Sequence, residues 1–340
     1  MGLHSQSGSP IQQIVSLGAQ WPTIDPFLFC AHHLDQYPKS NGSLGPDGSL
    51  AGRRIGQDFA GLNGWNMYHG AGVPGFPQHP HRGFETVTYV RRGYCDHSDS
   101  LGGRARFGEG DVQWLTAGSG IVHAEMFPLL DDQNPNPLHL FQIWLNLPAA
   151  NKMVDPHFSV FWNTDIPEVV ETDANGHKTS VTVIAGRVGG RKAPTPPPDS
   201  WAAAESHDVQ IWHIKVAPGG SWELPLGPDS SGRVLYFFEG DELSVAGEPV
   251  VVNSGVVLDS SVPVGIVAGS VAAECLVLQG TPIGQPVVQS GPFVMNTRAE
   301  VQQAMLDYRR TQFGGWPWPT DGPTHGHEAK RFADEGDVEK

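Results

Sequence analysis

Two short segments place chemically capable side chains at a spacing that concentrates them: His79-Pro80-His81-Arg82-Gly83-Phe84-Glu85 and, downstream, His123-Ala124-Glu125. Along an extended strand successive side chains point to opposite faces, so residues two apart share one. His79 and His81 then project together, and so do His123 and Glu125. Two such strands side by side offer three imidazoles and a carboxylate to one point, a ligand set for one divalent first-row transition metal with positions left for exchange. Spacing alone does not make a site. The chain has 15 histidines, and His32-His33 and His325-Gly326-His327 show that close pairs also arise by accident. The setting sets the two chosen pairs apart. Pro80 and Gly83 bracket a strand start, Glu85 to Val90 is rich in β-branched and aromatic residues, and His123 follows the turn Gly118-Ser119-Gly120.

The elements that must position these residues are short strands. In 340 residues there are 42 Gly and 29 Pro, usage that favours strands joined by tight turns over a helical protein, so the fold class is mainly β. From Gly75 to Leu147 strands recur around Thr86 to Val90, Val112 to Thr116, Ile121 to Met126 and His139 to Leu147. A second series follows: Val181 to Ala185, Val209 to Val216, Val234 to Phe238, Val250 to Val252, Gly255 to Leu258, Val264 to Val267 and Glu274 to Leu278. The repeated rhythm points to two similar β-sandwiches or barrels in tandem. Ile11 to Leu17 and Phe27 to Ala31 read as edge strands. One helix is expected near the end: Asn296 and Thr297 as caps, Glu300 completing a capping box, and Val301, Ala304, Met305 and Tyr308 at helical spacing. The stretch from Thr320 to Lys340 is polar with no pattern and is expected to lack fixed structure.

Charge and cysteine usage exclude whole classes of function. A formal net charge of -15, with 21 scattered basic residues, argues against non-specific binding to nucleic acid or to anionic membranes. Three well-separated cysteines, Cys30, Cys95 and Cys275, make neither a disulfide framework nor a thiolate metal motif. Met1 to Ser9 lacks a signal-peptide apolar core, and no apolar run reaches membrane-spanning length. The expectation is a cytoplasmic protein, with a nuclear location open if the source is eukaryotic.

With these residues laid out, the chain resembles the pirin family of the cupin superfamily. The resemblance rests on residues 79–90 (His-Pro-His-Arg-Gly-Phe-Glu-Thr-Val-Thr-Tyr-Val), 110–114 (Gly-Asp-Val-Gln-Trp), 117–126 (Ala-Gly-Ser-Gly-Ile-Val-His-Ala-Glu-Met), 142–148 (Gln-Ile-Trp-Leu-Asn-Leu-Pro) and 291–297 (Gly-Pro-Phe-Val-Met-Asn-Thr). It implies a bicupin: two tandem cupin-type β-barrels with a short C-terminal helix, and metal in the first only. The division it suggests is a metal-binding domain over 1–148, a metal-free domain over 149–315 ending in the helix, and a tail over 316–340. Pirins hold one Fe2+ through residues that map onto His79, His81, His123 and Glu125. The general cupin pattern takes its carboxylate from the first segment instead, where Glu85 stands, so Glu85 is the second candidate ligand. In the other half, Trp222-Glu223-Leu224 occupies the comparable turn-to-strand place. The donor set itself does not name the metal, since iron, nickel, copper, zinc and manganese all accept imidazole and carboxylate.

Other residues admit blander readings. His97 fits a solvated strand end, and His139, in register with Phe141, Ile143 and Leu145, fits a buried core histidine. Phe84, Trp114 and Trp144 can wall a pocket for a flat ligand or simply pack. Arg82 can meet a substrate anion or form a structural ion pair. The function that the resemblance implies is a non-haem iron dioxygenase of the quercetin 2,3-dioxygenase type. Its small aromatic substrate meets dioxygen at the metal, and Glu125 accepts the substrate proton. The alternative is an iron-dependent, redox-sensing regulatory protein or transcription co-regulator that works through a protein partner without turnover.

Overall fold

The computed structural model describes residues 9–334. These divide into two compact units that interleave in sequence: residues 9–31 with 164–284, and residues 32–163 with 285–334.

The second unit carries the histidine segments and is built from two sheets. One is a five-stranded sheet in the order Phe332–Asp334, Arg104–Gly108, Tyr94–Asp99, Ile121–Met126, Gly75–His81. The other runs His157–Phe161, Asp111–Thr116, Phe84–Arg92, Asn136–Asn146 and then Phe27–Tyr37, of which this unit holds the residues from His32 on. Between the sheets lies an apolar core that includes Val90, Cys95, Phe107, Leu115, Leu140 and Phe158, all buried. The other unit repeats the plan. Its seven-stranded sheet begins at the edge with Ile11–Ser16, as expected, and its four-stranded sheet contains Ser221–Leu224, whose Trp222 and Leu224 enter the apolar core.

The expectation of two closed cupin-type β-barrels is corrected by this topology. A barrel needs an unbroken ladder of backbone hydrogen bonds around its circumference. Here the two main sheets of each unit are separate, and the ladder stops at their edge strands. In the histidine-bearing unit one break is local and has a cause. His81 ends one strand, and the chain turns through Arg82-Gly83 to enter the opposite sheet at Phe84. Gly83 makes the turn at φ +86°, and a Cβ there would lie 2.0 Å from the Val294 carbonyl oxygen, so no other residue fits. The buried Lys152 ammonium fixes the same turn by donating to the Gly83 oxygen (2.8 Å), Asn146 Oδ1 (2.8 Å) and the Val294 oxygen (3.1 Å).

The helix forms where its signals lie, over Arg298–Thr311, with the Thr297–Glu300 capping box complete in both directions. Its buried Ala304 packs with Val122, Phe293 and Phe313. Arg82 adopts the structural alternative, donating to Asp307 Oδ2 of this helix at 2.8 Å and to the Ser119 oxygen at 2.6 Å, with its guanidinium over the Phe313 ring.

Residues 316–334, expected to lack fixed structure, instead strap the five-stranded sheet. Trp318 Nε1 donates to the Asp99 oxygen at 2.8 Å, and the backbone of Phe332–Asp334 pairs with Arg104–Arg106. The anchor is Arg106, fully buried and bidentate to Asp96 (2.6 Å twice), which also donates to the carbonyls of Gly326 and Glu328. Composition concealed this because a few buried anchors, not an apolar pattern, hold the segment. Of the stretch expected to lack fixed structure, residues 335–340 lie outside the described residues, as do residues 1–8. Replacing Asp96 by Ala leaves the Arg106 charge buried without its partner and should destabilise the protein by about 3–5 kcal/mol. The urea unfolding midpoint checks this, and an unchanged midpoint contradicts the anchor.

Candidate metal centre

His79 and His123 are direct cross-strand partners in the antiparallel pair Gly75–His81 and Ile121–Met126, and His81 pairs with Ile121. With side chains alternating, this register puts His79, His81 and His123 on one face. Their ligating nitrogens lie within 4.8 Å of one another. A register shift between Phe76 and His79 marks a bulge, which sets the strand's aim just before the first ligand. The site is therefore a group of three histidines, His81 and His123 buried and His79 half-buried, able to hold a divalent metal ion.

Its electrostatics suit that purpose. Burial lowers the pKa of His79 to about 4 and holds His81 and His123 well below the ordinary imidazole value, so the rings are neutral and their lone pairs free for a cation. His79 Nδ1 bonds the Pro77 oxygen at 2.9 Å, which fixes the ring and directs Nε2 to the centre. Among the described residues, His123 has no hydrogen-bond partner at either ring nitrogen, though the ring is fully buried. A buried imidazole with two unsatisfied nitrogens is costly unless something coordinates it, and a metal ion fits that need.

The two candidate carboxylates fall in different places. Glu125 Oε2 lies 3.9 Å from His123 Nε2, on the same strand face. Thr88 Oγ1 donates to its Oε1 at 2.9 Å and Gln142 Nε2 to its Oε2 at 3.1 Å, while burial raises its pKa. Glu85 instead accepts from Thr116 Oγ1 at 2.7 Å. On its strand Thr88 faces Glu125, so Glu85, three residues away, points to the opposite face.

Thr88 and Gln142 were not singled out from sequence. Gln142 left a trace there, as a lone amide inside the apolar run Leu140 to Leu145. His97 is no solvated strand end: it is fully buried, pairs in register with Glu125, and its Nε2 meets Asp99 Oδ2 at 3.1 Å. His325, in the strap, bonds the His97 oxygen at 2.8 Å. His139 is the buried histidine expected, 2.6 Å from His32. Phe84 and Trp144 wall the centre, both rings about edge-on to His81 at 5.0 and 5.4 Å. Trp114, one position away from inward-facing Leu115, lies on the other face against Phe161.

Behind Phe76 stands a second polar group. Tyr68 donates to Asp35 Oδ2 at 2.6 Å and meets His33 Nδ1 at 2.8 Å. Burial pushes the Asp35 carboxyl up to about 6 and the His33 imidazole down to about 4.

Fold and site together define a two-unit, cupin-like β-sandwich protein with a buried histidine metal centre. The chain belongs to the pirin family: the Pirin family model matches residues 11–145 and the Pirin C-terminal cupin domain model residues 211–314. A Pseudomonas aeruginosa protein provisionally named a quercetin 2,3-dioxygenase is 42% identical over 240 residues, covering 70% of this chain and 79% of that protein. Human Pirin is 33% identical over 261 residues, covering 74% and 81%. The crystal structure of a quercetin 2,3-dioxygenase from Acinetobacter baumannii shares the fold, with a TM-score of 0.69 at 24% identity over 89% of this chain and 98% of that one.

Two outcomes follow from this geometry. Gln142→Leu removes one of the donors orienting Glu125 and should weaken metal affinity by about 10–100-fold, read by chelator competition. Asp35 has a raised pKa in the folded state, so that state holds the proton more tightly between about pH 4 and pH 6. Its contribution is present below about pH 4 and lost as pH rises through about 6, a change of up to about 3 kcal/mol. Stability measured across that window should fall by this amount relative to the Asp35→Asn protein; parallel profiles contradict it.

Proposed function

We propose that this pirin is a metal-dependent oxidoreductase of the quercetin 2,3-dioxygenase type, acting in the cytoplasm on a flavonol or similar aromatic enol. His79, His81 and His123 would hold the metal, with Glu125 as fourth ligand and Fe2+ as the ion. The observation that carries the reading is the cluster itself: three neutral imidazoles within 4.8 Å, two of them buried and one half-buried, and a buried carboxylate beside His123, in a chain 42% identical to a protein provisionally named for this activity. When bound, the metal supplies Lewis acidity and redox chemistry toward the substrate oxygen and dioxygen.

The protein's own groups do the rest. In this reading Glu125 takes the proton of the substrate hydroxyl. Burial raises its affinity for that proton, while the Thr88 and Gln142 donors keep the carboxylate in one orientation. Phe84 and Trp144, 4.3 Å apart, offer flat apolar surfaces against which an aromatic substrate can stack and from which water is excluded. The net reaction inserts dioxygen into the flavonol, opens its central ring and releases carbon monoxide. The organisation proposed from sequence, with metal chemistry confined to the half containing residues 79–125, is part of this reading.

The test is oxygen uptake and carbon monoxide release with quercetin, alongside elemental analysis. The wild-type protein should carry about one metal per chain and turn over. His123→Ala should lose the metal, and Glu125→Gln should lose at least about 100-fold in kcat. A fully metal-loaded wild-type protein that consumes no oxygen with any flavonol overturns the proposal.

A further inference from the structure

The inner faces of the two sheets around the histidines hold more polar atoms than the protein itself satisfies. Gln113 is fully buried, and among the described residues neither its amide oxygen nor its amide nitrogen has a hydrogen-bond partner. Its position is set by register. Gln113 is the direct cross-strand partner of Thr88, and Thr88 is the partner of Gln142, so the three form one row across the sheet. Directly opposed side chains on one face stand about 4.5–5.5 Å apart at Cβ. Thr88 and Gln142 both bond Glu125, which brings this row to the carboxylate beside His123. Gln113 is its third member, and among the described residues its side-chain amide has no partner.

Two further atoms agree. Thr86 lies two residues before Thr88 on the same face, and its buried Oγ1 is likewise without a partner among the described residues. On the facing sheet, His97 pairs in register with Glu125, and its buried Nδ1 also has no partner among the described residues. A sandwich interior left with these unpaired donors and acceptors is built for a polar occupant, because buried amides and hydroxyls without partners are otherwise selected against.

We propose that the Gln113 carboxamide, with the Thr86 hydroxyl beside it, is the polar recognition end of the substrate subsite. It binds a phenolic hydroxyl of the substrate remote from the one whose proton Glu125 takes. A carboxamide presents a donor and an acceptor in one plane, and a phenol is both donor and acceptor, so the two match. Gln113 is thus a specificity-determining residue that selects polyhydroxylated aromatics over bare ones. This rests on the dioxygenase reading for the identity of the substrate, but its test does not need turnover.

The probes are quercetin and 3-hydroxyflavone, which keeps the reacting hydroxyl and the ring system but lacks the other hydroxyls. Gln113→Leu, with Gln113→Met as a second variant closer in shape, removes the unpaired amide at nearly constant volume. Both proteins should keep their metal and an unchanged or higher Tm. Their Kd for quercetin, from quenching of tryptophan fluorescence, should rise about 10–100-fold, and their Kd for 3-hydroxyflavone less than about 3-fold. In turnover the same loss should appear in KM, with kcat within about 3-fold. An equal effect on both ligands, no effect on either, or a wild-type protein that binds neither overturns the assignment. So does a crystal structure with quercetin bound in which the Gln113 amide meets only water. If the wild-type protein binds quercetin with the expected preference but consumes no oxygen, the dioxygenase reading fails and the subsite stands.

Discussion

The metal centre depends on one pairing register. His79 lies opposite His123 across an antiparallel ladder, and the period-two alternation of strands carries His81 onto the same face. A slip of one residue would turn one pair outward and leave the other without a partner. The fold guards this register at both ends of the Gly75–His81 strand. A bulge follows Phe76, and the Gly83 turn, clasped by Lys152 and closed on the Val294 backbone, follows His81. Neither device touches a metal, yet both determine where the imidazoles meet.

Burial then sets the chemistry. An imidazole taken out of water is held neutral, and a carboxylate taken out of water gains affinity for a proton. Both effects occur within one sandwich, on His79, His81 and His123 in the first sense and on Glu125 in the second. The same seclusion makes polar side chains on the facing sheet conspicuous. Thr88 and Gln142 are satisfied by Glu125, whereas Thr86 and Gln113 are satisfied by no described residue. The strap of residues 316–334 reinforces the sheet that carries the histidines through Arg106 and Trp318, contacting the strand that carries both His97 and Asp99 and its neighbour Arg104–Gly108. The strap lies beyond the stretches matched by the two family models, which end at residue 314.

Much of this was legible beforehand because it is local. Alternation put His79 with His81 and His123 with Glu125, the capping box located the helix, and β-branched runs located most of the strands. What stayed hidden was non-local. The Arg104–Gly108 strand and the polar run Tyr94 to Asp99 do not look buried, because Asp96 and Arg106 satisfy one another only across a ladder. Glu85 and Glu125 are chemically equal in sequence, and only the face each occupies separates them. Sheet closure was over-read, since strand rhythm reports how many strands there are and not whether the last pairs with the first.

By itself, then, the sequence determined the residue types of the centre, their pairing two by two and the β class of the chain, because strand periodicity and turn chemistry are properties of short segments. Tertiary structure alone decided that His79, His81 and His123 meet, that Thr88 and Gln142 bond Glu125 with Gln113 in the same row, and that residues 285–334 return to the histidine-bearing unit while residues 9–31 join the other. The physical reason is that desolvation and cross-sheet hydrogen bonding arise only between segments far apart in the chain, where no local pattern encodes the partner.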